Sequence, residues 1–411
     1  MATILTIIPY SFYPPVNGGA LRCFYLLREM SRYHTIYVLT TQKSEDFKLH
    51  AEPEFPENIQ VVSTHGVKKY RSIFNVLPAR VADALNFRYI VRSVSATANE
   101  TLLSSYSTLQ KLLHEQRFDI IFYESLNALG LFRDIIRRNV PAVFHLYDAH
   151  NVDSLLWLQQ AEAQKSKKLE SYAKGALSLE KMLYKKVDAF FCCSEEDLIK
   201  LTSLNGNRIQ GIVIPNGVDI AKNSFDERSD KHLSKQLIFC GSLDYLPNRE
   251  GLLWFYINVF PLVKSKVPGV SLTVIGSNSQ PDAYEQLMED TAVNFVGRVE
   301  HVVSFYHQSS ISIAPLLSGS GTRLKILEAM SLGNPVVSTT VGAEGILYKE
   351  GEHLLIADIP EQFAEHIANL LSNSIKFNTI RTQAYKLVKT TYNWKKIGKY
   401  ANYNISKLTS L

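Results

Sequence analysis

The sequence predicts an α/β protein built as two doubly wound parallel-sheet domains. Three observations predict it. At 411 residues the chain is too long for one ordinary core, and it suits two domains of about 150–200 residues each. Short β-rich runs alternate with helical patterns from end to end, as in a parallel sheet with helices on both faces. The alternation restarts at Leu237, after the polar, non-periodic stretch KNSFDERSDKHLS at 222–234, which predicts a joint between the two halves.

Taken in order, the strands of the first half are TILTIIPY from Thr3, HTIYVLTT from His34, IQVVSTH from Ile59, FDIIFYES from Phe118, AVFHLYD from Ala142 and AFFCCS from Ala189; IVIPNGVD from Ile212 follows and reads, at Asn216 and Gly217, as a turn ending the first domain. Those of the second half are LIFCGSL from Leu237, SLTVIGS from Ser271, VNFVGRV from Val293, SISIAPL from Ser310, PVVSTT from Pro335 and HLLIAD from His353. Several are apolar at nearly every position, as strands covered on both faces must be. The expected domains are 1–220, 221–385 and a helical tail, 386–411, of a kind that can cross back onto the first domain.

Bulk properties narrow the class. Hydrophobic residues make up 46% and charged residues 20%, as in a soluble globular protein. The net charge of +5, from 44 basic and 39 acidic residues, is too balanced for a nucleic-acid binder. About four of the five excess charges precede residue 216, and the basic stretch at 165–186 is a candidate for peripheral contact with an anionic membrane. The N-terminal run reads as a first strand rather than a signal peptide, and no apolar stretch approaches the ~20 residues of a membrane span. Cys23, Cys192, Cys193 and Cys240 show no zinc-type spacing; the simplest reading is a reducing, cytoplasmic compartment.

Three segments carry candidate chemistry. In PPVNGGALRCFYLLREMS, from Pro14, a helix is expected from near Ala20, with Gly18 and Gly19 in the loop before it. Bare backbone beside a helix N-terminus suits a phosphate or a sugar's leaving group. It is not the GxGxxG pattern of a nicotinamide site. In SGSGTRLKILEAMSLGNPVVS, from Ser318, a strand runs into a Gly-Ser-Gly loop and a helix expected over 322–332, with Gly333 as its stop. Amides of Gly321 and Thr322 can meet a diphosphate. Arg323 and Lys325 place cations where the helix dipole opposes them, which an anion held nearby would explain. Leu324 lies between them in the first turn, and Glu328, three residues past Lys325, is placed for ribose hydroxyls. In FHLYDAHNVDSLLW, from Phe144, His150 with Asp148, Asn151 and Asp153 forms a polar cluster at a strand's end, while His145 reads as a core residue. Gly241, Gly276, Gly297 and the adjacent Arg298 mark further strand ends, where glycine lets a flat base or ribose approach the backbone. Asn248 reads as an N-cap.

Together these stretches resemble the large family 4 of retaining glycosyltransferases. The resemblance runs from residue 3 to about 370 and rests on PPVNGGALR, DAHNVD, IPNGVD, CGSLDYLPN, GTRLKILEAMSLGNPVVS and GAEG, in that order. It implies the GT-B arrangement, two Rossmann-like domains facing a cleft, with the donor nucleotide in the second and the acceptor mostly on the first. It further implies transfer of a sugar, a hexose by type, from a nucleotide-diphosphate-sugar substrate with retention at the anomeric carbon, no cofactor and no required metal. The acceptor would be a glycan, a lipid-linked glycan or another molecule of cell-surface polysaccharide or glycoconjugate synthesis. His150, Arg323 and Lys325 become the catalytic candidates. Gly18, Gly19, Gly241, Gly297, Arg298, Gly321, Thr322, Leu324 and Glu328 become the donor-binding candidates.

Two departures stand out. The family commonly has paired glutamates eight positions apart, and here Ser320 holds the earlier position. Ser242 and Asn248 stand about where an Arg and a Lys are common in the family. Two other readings fit the same fold, a sugar-nucleotide 2-epimerase and an inactive sugar-nucleotide-binding protein.

Overall fold

The computed structural model describes residues 1–49, 54–65, 96–278, 281–319 and 323–409. The chain forms two compact units, Met1–Pro215 with Ile397–Leu411, and Asn216–Lys396.

In the first unit the described strands are β1 (Thr3–Ile8), β2 (Thr35–Thr40), β3 (Ile59–Ser63), β4 (Ile120–Glu124), β5 (Phe144–Ala149), β6 (Ala189–Cys192) and β7 (Gln210–Val213). They pair in parallel in the order β3-β2-β1-β4-β5-β6-β7. The six runs from Thr3 to Ala189 read as strands are strands, while β7 ends at Val213, two residues into the run read as a turn. β4 is buried at each of its five positions, because helices cover both faces. The chain winds from β1 toward β3 on one side and from β4 toward β7 on the other. The order therefore reverses between β1 and β4, and in open α/β sheets ligands bind outside the carboxyl ends of the strands at that reversal.

The helix after β1 spans Gly18–Met30, and the Asn17 side chain accepts a hydrogen bond from the Ala20 amide at 3.0 Å. That cap draws Gly18 and Gly19 into the first turn, in place of the loop the sequence predicts for them. The basic stretch at 165–186 folds as the helix Lys167–Glu180 and the short helix Leu183–Lys186. Of the final helix, Trp394–Thr409, the part from Ile397 belongs to the first unit. A Cβ added to Gly398 would stand 2.2 Å from the Cβ of Glu29, so only glycine lets this helix approach so closely. Among the described residues no helix is long and apolar enough to cross a membrane.

The second unit repeats the plan with β8 (Gln236–Cys240), β9 (Ser271–Ile275), β10 (Val293–Gly297), β11 (Ile311–Ala314), β12 (Val336–Ser338) and β13 (Leu355–Ile356). Their parallel order is β10-β9-β8-β11-β12-β13, and it reverses between β8 and β11. Strand alternation sends Leu237, Phe239, Ile311 and Ile313 to one core with Phe255, Phe260 and Phe363. It sends Ile238 and Ala314 to the other with Ile326, Leu327 and Met330. The segment 222–234, read from sequence as a joint, lies inside this unit and is fastened to it. Asn223 donates to Ser331 Oγ at 2.9 Å, while Lys231 donates to Asn334 Oδ1 at 3.0 Å and pairs with Asp226 at 3.2 Å.

Candidate functional site

The carboxyl ends of β4 and β5 place three side chains of the first unit together. Glu124 closes β4 and is in register with Asp148 of β5, and His150 follows β5. His150 Nε2 lies 3.0 Å from Glu124 Oε2 and 3.3 Å from Asp148 Oδ2. Across the β1–β4 reversal, the helix Gly18–Met30 adds Arg22, whose Nε and Nη2 donate to Asp148 at 2.7 and 2.6 Å. Its Nη1 donates to the Ile214 carbonyl at 2.7 Å. Arg22 and Asp148 are 1% and 0% exposed, so this two-pronged pair works without solvent screening. Cys23 Sγ reaches Glu124 Oε2 at 3.2 Å. A Cβ on Gly19 would stand 3.4 Å from His150 Nδ1, so the first helical turn lies against the ring edge that the carboxylates leave open.

Charge follows from this packing. Burial opposes the Arg22 charge, but Asp148 outweighs burial and keeps the guanidinium pKa above its ordinary value. Burial would raise the Asp148 pKa, yet Arg22 and His150 hold it well below the carboxylate range. Burial likewise opposes the imidazolium of His150, and hydrogen bonds to Asp148, Cys23 and Glu124 reverse that, taking its pKa well above 6.5. These hydrogen bonds favour the protonated, donating form of His150 over a free base. Burial and then Asp148 raise Glu124, against His150. Burial lifts the Asp153 carboxyl to about 6, with His150 opposing. His145 is a core residue: it is 5% exposed, its Nδ1 is 2.9 Å from the Tyr123 hydroxyl, and burial lowers its pKa to about 4.

The second unit gathers its residues at the β8–β11 reversal. Gly241 follows β8 at φ +157°, and a Cβ there would stand 2.8 Å from both Lys325 Nζ and Asn248 Nδ2. Lys325 donates to Asn248 Oδ1 at 2.6 Å and sits 4.6 Å above the Phe239 ring. Asn248 in turn donates to the Ser242 carbonyl at 2.8 Å. The helix is Leu324–Ser331, shorter than the span expected, and Arg323 is its cap. Arg323 is 6% exposed, and a Cβ on Gly319 would stand 3.2 Å from its Nη1 and Nη2. Burial lowers the Arg323 pKa, with Tyr245 and Glu344 opposing. Burial takes Lys325 down to about 7, with Cys240 opposing and Arg323 assisting. Burial takes Glu328 up to about 7, against a hydrogen bond to Tyr306.

The structure thus joins His150 with Gly19, Lys325 with the Gly241 turn, and Arg323 with Gly319. Gly297 and Arg298 end the edge strand β10, separated from β8 by β9. There Gly297 has φ +80° and its carbonyl accepts from the Gly276 amide at 2.9 Å. Leu324 is the half-buried first residue of its helix. Gly321, Thr322 and Ser320 lie outside the described residues. Asn248 is not a cap: Tyr245 caps the helix Leu246–Trp254, and Asn248 lies inside its first turn, with its side chain given to Lys325. Sequence reasoning missed Arg22, Cys23 and Glu124. One signal was present, a carboxylate closing the apolar run IIFYE.

Comparison with known proteins gives a consistent picture. Residues 16–222 match the family described as Glycosyltransferase Family 4, and residues 234–373 the one described as Glycosyl transferases group 1. An uncharacterized protein of the Klebsiella pneumoniae cps region is 25% identical, covering 97% of this chain and 98% of its own. A Mycobacterium tuberculosis glycogen synthase is 26% identical over 50% of each chain. Among solved structures, Anabaena HepE in complex with UDP and glucose superimposes with a TM-score of 0.69 at 14% identity, over 99% of this chain and 100% of that one. Sucrose-phosphate synthase from Thermosynechococcus elongatus gives 0.72 at 15% identity over 100% of both chains.

Proposed function

The chain belongs to glycosyltransferase family 4, whose members use a nucleotide-sugar donor, and on that premise we propose a retaining hexosyl transfer in which the second unit binds the donor diphosphate and the first presents His150 to a sugar. The observation that carries this reading is the presence of Arg323 and Lys325 at one helix start, Lys325 beside the Gly241 turn and Arg323 beside Gly319, at the β8–β11 reversal. A buried and a half-buried cation at the positive end of a helix repel each other and the dipole. A diphosphate turns each of those costs into a gain, and the same charges stabilise it as it departs.

In this reading Glu328 accepts from ribose hydroxyls and the amides of Gly321 and Thr322 meet the phosphates, while Gly241, whose own amide donates to the Ile275 carbonyl at 2.9 Å, leaves room for Lys325 beside it. The imidazolium of His150 donates to a sugar oxygen. A protonated His150 does not take the acceptor's proton. The group that does is the departing phosphate oxygen on the reacting face: the C1–O(phosphate) bond breaks with its electron pair going to phosphate. The acceptor oxygen bonds to C1 from that same face, and its proton passes to the phosphate. Retention follows. In this scheme side chains and amides carry the leaving-group charge. The relative from a cps region favours a glycan or lipid-linked acceptor in surface-polysaccharide synthesis. The test is a panel of nucleotide sugars, with and without free and lipid-linked acceptors, assayed for nucleoside diphosphate release. Acceptor-dependent release with one donor supports the reading. An isomerised donor formed without acceptor contradicts it.

A further inference from the structure

Cys23, Glu124 and His150 converge, although the transfer described above makes no use of the thiol. Cys23 Sγ is 3.2 Å from Glu124 Oε2, that oxygen is 3.0 Å from His150 Nε2, and the thiol is 4.0 Å from the same nitrogen. Bonds of about 2.0–2.3 Å to tetrahedral zinc separate its ligands by roughly 3.4–3.6 Å. The three donor atoms already outline one face of such a tetrahedron. A second observation points the same way: Glu124 is 0% exposed, and its Oε1 has no hydrogen-bond partner. A buried carboxylate oxygen left in this state is short of a positive or donating neighbour. The supporting groups suit a metal as well. The Tyr10 hydroxyl lies 3.2 Å from Cys23 Sγ, able to donate to a thiolate. Arg22 and Asp148 cancel each other's charge, so a thiolate and the Glu124 carboxylate offset a divalent ion, with neutral imidazole as third ligand. His150, 15% exposed, marks the accessible side.

We propose that Cys23, Glu124 and His150 form an inhibitory site for a zinc-class divalent ion, bound through thiolate, carboxylate and imidazole Nε2, with the fourth position left to solvent. The thiolate selects zinc, cobalt or cadmium over magnesium, which takes oxygen ligands. Binding ties His150 Nε2 to the ion beside Cys23 Sγ and Glu124 Oε2 and so takes the ring away from the transfer. The inhibition therefore rests on the proposed role of His150, whereas the binding does not.

Cobalt(II) added to the reduced full-length protein separates the two. The expected result is a near-ultraviolet thiolate-to-cobalt charge-transfer band with the intense visible bands of tetrahedral cobalt, displaced by zinc and not by magnesium. Cys23→Ala and Cys23→Ser, checked for folding by circular dichroism, should both lose the charge-transfer band. Glu124→Gln, which retains every cysteine, should weaken cobalt binding by about 10-fold or more. In the transfer assay, scored against each protein's own metal-free rate, the half-inhibitory zinc concentration should rise about 100-fold in the Cys23 variants. No charge-transfer band in the parent protein, or the same band in a folded Cys23 variant, overturns the site. A Cys23-dependent band with zinc-insensitive transfer overturns the inhibition. The spectrum is read on the resting protein, so an absence of transfer with every donor counts against the transferase reading and not against the site.

Discussion

Arg22 and Asp148 are fixed in place by the cost of separating them. Each is buried, and neither has water to fall back on. Removing one partner of such a pair strands the other, at about 3–5 kcal/mol. Asp148→Asn should lower the unfolding free energy by about that amount in a urea titration. A loss within 0.5 kcal/mol of zero, roughly the range of a neutral surface change, would mean that solvent reaches the pair. The second unit sets up a different experiment. Lys325, held down to about 7, is charged only below that pH. Glu328, pushed up to about 7, is a carboxylate only above it. Ammonium is the form that attracts a diphosphate, so donor affinity should fall as pH rises through about 7 and Lys325 loses its proton. Carboxylate is the form that accepts from ribose, so affinity should also fall as pH drops through about 7 and Glu328 gains one. A nucleotide sugar has no phosphate titrating near neutrality, and calorimetric affinity against pH should be bell-shaped. Lys325→Met should remove the alkaline limb and Glu328→Gln the acid limb. Parent-like profiles in both variants would take these two residues out of the site.

At the scale of elements, close approach is the recurring device. Gly398→Ala would press a Cβ into Glu29 and push the last helix off the first unit. The expected cost is about 1–3 kcal/mol, seen as a lower thermal midpoint and faster proteolysis near the C-terminus. An unchanged midpoint would mean the helix shifts at no cost. Strands were legible in the sequence because β-branched and aromatic runs have a local signature, and the twelve runs read as strands are strands. The start of the first helix was less legible. Asn17 ranks among the strongest caps, and it was passed over in favour of the glycines after it. The segment 222–234 is polar and non-periodic, like a linker, but its polar side chains satisfy one another and Ser331; sequence does not separate those cases. The first-unit cluster was only half legible. Asp148 and His150 are neighbours in the chain, whereas Arg22 lies 126 residues from Asp148 and Cys23 lies 101 from Glu124. No local pattern records a pairing of that range.

The molecule repeats one plan. Each unit has a parallel sheet whose order reverses beside its first strand, at β1–β4 and at β8–β11, and each places its charged residues there. The reversals differ in character. The first holds a self-neutralising network around one imidazolium. The second holds two cations, Arg323 and Lys325, at the start of one helix. The proposed placement of the donor's anionic end in the second unit rests on that asymmetry. The most direct check compares a nucleoside diphosphate with the matching free nucleoside, by calorimetry on the full-length chain and on Arg323→Ala. Losing one charge-assisted contact costs about 1.5–3 kcal/mol. The variant should therefore bind the diphosphate roughly 10- to 100-fold more weakly while holding the nucleoside as the parent does. Equal loss for both ligands, or none for either, would contradict a diphosphate site at the β8–β11 reversal.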